Sequence, residues 1–82
     1  MKTINFILPS YYASAFINGD YSGLSDEEEG VINNFISANI AKYGRFYCVD
    51  VDVDNTYFAR HNDLTGMGHL GSDVCEYTFN ID

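Results

Sequence analysis

Two rhythms of apolar and polar positions run along this chain. Ile4, Phe6 and Leu8 alternate with Asn5 and Ile7, so Met1 to Leu8 predicts a first strand with the first three on one face. Pro9-Ser10 ends that strand. Ser10 is placed to cap a short helix over Tyr11 to Asn18, with Tyr12, Phe16, Ala13 and Ile17 facing inward and Gly19 as the stop. Asp20 to Leu24 reads as a turn, with Tyr21 and Leu24 tucked back onto the core. From Ser25 to Tyr43 the rhythm becomes helical, with Val31, Ile32, Phe35, Ile36, Ala38 and Ile40 as the apolar stripe. Ser25 and Glu28 have the spacing of a capping box, Asp26 to Glu29 put negative charge where the helix dipole favours it, and Gly44 is the natural terminator. Gly30 inside this helix costs about 1 kcal/mol relative to alanine, which a close helix–helix or helix–strand contact would explain.

Beyond Gly44 the period drops to two. In Arg45 to Asp54, Tyr47, Val49, Val51 and Val53 alternate with Phe46, Cys48, Asp50, Asp52 and Asp54, which predicts a strand with one apolar face and carboxylates on the far half of the other. Asp54-Asn55-Thr56 is a turn. Thr56 to Arg60 is a third strand, with Tyr57 and Ala59 on one side and Phe58 and Arg60 on the other. His61 to Asp73 holds three glycines and reads as a long loop. Val74 to Ile81 closes the chain as a strand with Cys75, Tyr77, Phe79 and Ile81 on its apolar face. The order is β-α-α-β-β-β. It predicts a single α+β domain over residues 1–82, with two layers: an antiparallel sheet of three or four strands and two helices packed on one face.

Composition narrows the function classes. At 82 residues the chain buries roughly 60–65% of its extended surface, enough for one modest core but not for a deep, multi-walled active site. The net charge of −8 comes from twelve acidic residues against Lys2, Lys42, Arg45 and Arg60. So acidic a chain is repelled by phosphate backbones and anionic lipids, which argues against direct nucleic-acid or membrane binding; solubility is the plain explanation of the charge, and a protein partner with a basic surface, such as a nucleic-acid-binding protein, the sharper one. The N-terminal apolar run from Ile4 to Leu8 is too short for a signal peptide or a membrane span. Two cysteines, Cys48 and Cys75, make no disulfide framework, so a cytoplasmic protein with reduced thiols is expected.

The segment Tyr-Tyr-Ala-Ser-Ala-Phe-Ile-Asn-Gly-Asp-Tyr-Ser-Gly-Leu-Ser-Asp-Glu-Glu-Glu (11–29) resembles the signature of a small family of uncharacterised proteins from phages, plasmids and other bacterial mobile elements. Cys48-Val49-Asp50-Val51, Arg60-His61-Asn62-Asp63 and Gly71 to Phe79 are similar to the same pattern, so the resemblance spans nearly the whole chain. The family's usual Trp-Arg-Asn-Asp-like segment is interrupted here by His61, and the loop to Gly71 is longer. The resemblance implies a bacterial or phage origin and an accessory role, and it carries no activity to transfer.

Candidate chemistry is sparse. Asp50, Asp52 and Asp54 open like a calcium loop, but Asn55 and His61 stand where an EF-hand needs Gly and Glu. Along a strand these carboxylates would be spaced by about 6–7 Å on a solvated face. His61, Asp63, His69, Asp73 and Cys75 surround the glycine loop without the tight spacing of a zinc site. Cys48 with a histidine is a conceivable nucleophile pair, but both cysteines fall in strand runs that predict inert, buried thiols. Ser22 and Ser25 are explained by a turn and a cap. Arg60, Asn62 and Asp63 read as a hydrogen-bond cluster holding the loop. No catalytic residue, cofactor or metal ligand is assigned. The expectation is a non-enzymatic accessory protein acting by protein–protein interaction, in its sharpest form a nucleic-acid mimic that inhibits a host defence protein; the alternative is a small metal- or ligand-binding domain. Asp20, Asp26, Glu27, Glu29, Asp50, Asp52 and Asp54 are the candidate contact residues.

Overall fold

The structure, a computed structural model, describes residues 2–64 and 71–82. Its elements are β1 (Lys2–Pro9), a 3-10 turn (Ser10–Tyr12), α1 (Ala13–Asn18), α2 (Asp26–Tyr43), β2 (Phe46–Val51), β3 (Tyr57–Ala59) and β4 (Ser72–Ile81). They form the expected α+β arrangement, a four-stranded antiparallel sheet with the helices on one face.

α2 forms where its local signals place it. Glu28 N donates to Ser25 Oγ at 3.2 Å, and Ser25 N donates to Glu28 Oε1 at 3.0 Å, so each residue satisfies an otherwise unpaired helix-end donor of the other. At the other end Gly44 adopts φ +82, a left-handed value that side chains disfavour, and its N–H reaches Ile40 O. Gly30 meets no such demand: among the described residues a Cβ there would have nothing within 4 Å, so no close contact among them explains it. The buried stripe of α2 is Ile32 with Val31, Phe35, Ile36 and Tyr43, whereas Ala38 and Ile40 turn to solvent. α1 starts later than its sequence indicates. Residues 10–12 form a tighter turn first, and Ser10 Oγ donates to Asp73 O instead of capping a helix. Tyr12 and Ala15 are fully enclosed, Phe16 packs on the core, and Ile17 is exposed.

β4 is the middle strand. β1 pairs with it from Lys2↔Ile81 to Pro9↔Val74. On its other side β2 covers Tyr77 to Ile81 and β3 covers Ser72 to Val74, both antiparallel to β4. β2 and β3 therefore run in the same direction along one edge, and the Asp54-Asn55-Thr56 turn is a detour in that edge rather than a hairpin reversal. Strand bounds also shift: β3 is only three residues long, and β4 begins at Ser72, inside the stretch expected to be loop.

The alternation in β2 is re-phased. Cys48 pairs with Phe79 and Asp50 with Thr78, so Val49 is an extra residue on β2, a β-bulge. Before it Phe46 and Cys48 take the core face and Tyr47 points outward; after it Val51, opposite Tyr77, takes the core face. The expected apolar face of Tyr47, Val49, Val51 and Val53 is thus broken up, and only Val51 of the four belongs to the core.

Phe79 is the hub of that core. Phe46 stacks on it at 4.2 Å, and Phe6, Phe16 and Phe35 meet it edge-on at 5.6–6.2 Å. Offset and edge-to-face geometries of this kind add about 0.5–1.5 kcal/mol per pair beyond burial. The buried Tyr77 hydroxyl donates to Pro9 O at 2.6 Å, tying β4 to the end of β1. Ile7 N donates to Asp63 Oδ2 and Asp63 N to Ile7 O, so Asp63 closes part of β1's free edge from across the sheet. Asn62 Oδ1 accepts from Leu64 N, and Leu64 is buried. Asn62 and Asp63 thus have the structural role expected of them; Arg60 is exposed.

Candidate functional site

The tight reversal at Gly44 organises the charges. α2 ends there and β2 begins there, so both elements lead away from it. The first turn of α2 sits about 27 Å away along an 18-residue helix. Glu28 of that turn reaches Tyr12, just beyond Pro9, which pairs with Val74. β2 leads to the same end: Asp52 N donates to Glu76 O, and β3 then pairs with Val74. Asp26, Glu27 and Glu29 on α2 and Asp52 and Asp54 beyond β2 therefore share the end of the molecule remote from Gly44. At the Gly44 end lie Lys42 in the last turn of α2, Arg45, and Lys2, which pairs with Ile81 beside Phe46. Three of the four basic residues are thus gathered opposite the acidic end. Arg45 and Asp82 form an ion pair there at 3.5 Å, with both side chains more than half exposed, a geometry worth little stability.

Each predicted contact residue has a definite place. Asp26, Glu27 and Asp54 are exposed, and Glu29 is partly exposed. Asp50 faces outward from β2, opposite Thr78. β2 ends at Val51, so the three aspartates do not run along one strand face as expected. Asp52 instead sits in a turn, where Asn55 Nδ2 donates to both its carboxylate oxygens at 2.9–3.0 Å. Asp20 accepts from Ser22 N, and that hydrogen bond holds its carboxyl below the usual range.

Sequence reasoning gave Glu28 its capping role and missed the rest of its environment. Its Oε2 also accepts from Tyr11 Oη at 2.9 Å and Tyr12 Oη at 3.2 Å, while Tyr11 Oη lies 2.8 Å from Tyr12 Oη. The Ser25 N–H and the tyrosine hydroxyls hold the Glu28 carboxyl below the ordinary range. Burial, and the carboxylate beside it, push the Tyr12 hydroxyl upward, so it stays a donor. The signal available was the Tyr11-Tyr12 pair itself, but nothing local indicates that α2 would return to meet it.

The remaining candidates show little reactive chemistry. Both cysteines are free. Cys75 is fully buried, and burial raises its thiol. Cys48 is half-buried with Sγ 3.5 Å from Asp50 O, and burial pushes its thiol up to about 11. Both thiols are therefore protonated and poorly nucleophilic near neutrality. Among the described residues no three of His, Cys, Asp and Glu converge as a metal site would require. His69 lies outside the described residues. No helix among them is long and apolar enough to cross a membrane.

No curated protein and no solved structure matches this chain. A family model described as a domain of unknown function (DUF6926) matches residues 7–81, a span that takes in both helices, all of β2 and β3, and β4 to its last residue. On that match, the chain belongs to the DUF6926 family.

Proposed function

We propose that this is a non-enzymatic accessory protein of a phage or other mobile element that acts in the cytoplasm by binding a protein with a basic surface. The observation that carries the reading is the polarised charge: α2 and β2 both lead from Gly44 to one acidic end, with three of the four cations at the other. Such a field orients a cationic partner during encounter and makes association depend on salt. In its sharpest form the acidic end occupies the nucleic-acid site of a host defence protein. The mobile-element origin rests on the resemblance of residues 11–29 and the later segments.

The test compares the wild-type chain with the E27K/E29K variant as baits in a bacterial lysate. A captured partner is then assayed for DNA binding in competition with the purified protein. The reading expects a partner held at low salt, released by salt, lost with E27K/E29K, and displaced from DNA by the wild type. A partner held equally at high salt and by E27K/E29K refutes it. Glu27 and Glu29 lie in the first turn, where the helix dipole favours negative charge, so E27K/E29K should cost about 1–2 kcal/mol, and circular dichroism of the variant checks that it stays folded.

A further inference from the structure

A groove of about 340 Å³ opens between α1 and the end of β2, lined by Ala13, Ser14, Ile17 and Asn18 on one side and Val49, Asp50, Val51 and Val53 on the other. Three branched aliphatic side chains in it are strongly exposed: Ile17 at 45%, Val49 at 43% and Val53 at 55%. Singly exposed apolar residues are ordinary; these three share one groove. Two features of the fold produce it. The bulge at Val49 re-aims that side chain out of the sheet, and the turn after Val51 carries Val53 with it. Ile17, one position after the core residue Phe16, is turned to the rim.

The one charged residue in the lining is Asp50, and no lysine or arginine contributes to it. Asp52 and Asp54 follow in the same segment, alternating with Val51 and Val53. A lining of aliphatic side chains with one carboxylate and no cation disfavours acidic ligands and favours aliphatic side chains flanked by cations.

We propose that this groove receives a short segment of the partner protein in which aliphatic residues alternate with lysine or arginine. The inference rests on the protein-binding reading above and adds to it a surface and the chemistry of the segment that fills it. Leucine- or valine-sized side chains cover Ile17, Val49 and Val53, while the intervening cations meet Asp50 and its neighbours. The acidic turn of α2 then guides encounter, and the groove supplies the short-range contact.

The experiment titrates the full-length, isotope-labelled protein with a synthetic peptide of alternating leucine and lysine, at physiological salt to screen long-range attraction. A control peptide replaces each leucine with serine. The expected result is amide shifts concentrated in residues 13–18 and 49–53, with binding about tenfold weaker for the control peptide. I17S, V53S and D50N should each weaken the leucine peptide several-fold while preserving the dispersed spectrum of the folded protein, and E27K/E29K should leave its affinity nearly unchanged. Equal binding of the two peptides, shifts centred on residues 26–29, or no binding of either peptide would each overturn the groove assignment. A partner capture that still fails with E27K/E29K would in those cases leave the charge-based reading standing, so the two can fail separately.

Discussion

Replacing Glu28 with alanine tests whether this one carboxylate joins the start of α2 to the tyrosines that precede α1. The substitution removes the acceptor for Ser25 N, half of the capping box, and the Oε2 contacts with Tyr11 and Tyr12. Loss of a cap costs about 0.5–2 kcal/mol, and loss of charge–dipole attraction at a helix start about 0.3–1 kcal/mol. With Glu28 gone, the Tyr12 hydroxyl can turn its proton to Tyr11 Oη, 2.8 Å away, so no buried donor is left orphaned and the sum stays near 2 kcal/mol rather than rising further. In a domain of this size about 2 kcal/mol lowers Tm by about 8–16 °C. The measurement is urea denaturation and thermal melting followed by circular dichroism, with E27A as the comparator. Glu27 shares the acidic first turn and its dipole attraction but is exposed and makes no cap, so E27A should cost less than about 1 kcal/mol. The pH dependence supplies a second check. The folded Glu28 pKa lies below its unfolded value of 4.5, so the carboxylate's contribution is complete above that value and is lost as pH falls through the folded pKa. The gap between wild type and E28Q should therefore be constant from pH 6 to 8 and shrink in acid. If E28A costs no more than E27A, or the gap to E28Q grows in acid, the linking role of Glu28 is wrong.

Two further outcomes follow from burial. G30A should stabilise the protein by about 0.5–1 kcal/mol in the same denaturation assay, because α2 has open space at that position and alanine is the better helix former; a loss of stability would mean that a neighbour approaches there after all. Cys48 and Cys75 should react with a thiol reagent far more slowly in the native state than in denaturant at pH 7–8, since Cys75 has no exposed surface and burial keeps the Cys48 thiol protonated; rapid native labelling of either would contradict that account.

The parts of this protein that were legible in the sequence depend on near neighbours. Ser25 and Glu28 are three residues apart, and the hydrogen bonds they exchange need only the first turn of a helix, so the boundary of α2 could be read without knowing what it packs against. Gly44 and Gly19 end their helices with left-handed φ values that glycine adopts without a Cβ penalty. The inward faces of β1 and β4 follow from uninterrupted alternation, and the α+β class from the order of elements.

What remained hidden depends on partners distant in sequence. The face of β2 was misread because its valines alternate cleanly, whereas pairing with β4 inserts a bulge at Val49 that reverses the phase, and a strand cannot reveal such a bulge without its neighbour. That displacement turned Val49 outward, brought Phe46 and Cys48 inward, and created the groove with Ile17 and Val53. The meeting of Glu28 with Tyr11 and Tyr12, the Asp63 contact with Ile7, and the collinear placement of β2 and β3 arise in the same way, from chain reversals that local propensity does not encode. The charges of the candidate contact residues were visible one by one. Only the reversal at Gly44, which sends α2 and β2 toward the same end of the molecule, gathered them opposite Lys2, Lys42 and Arg45.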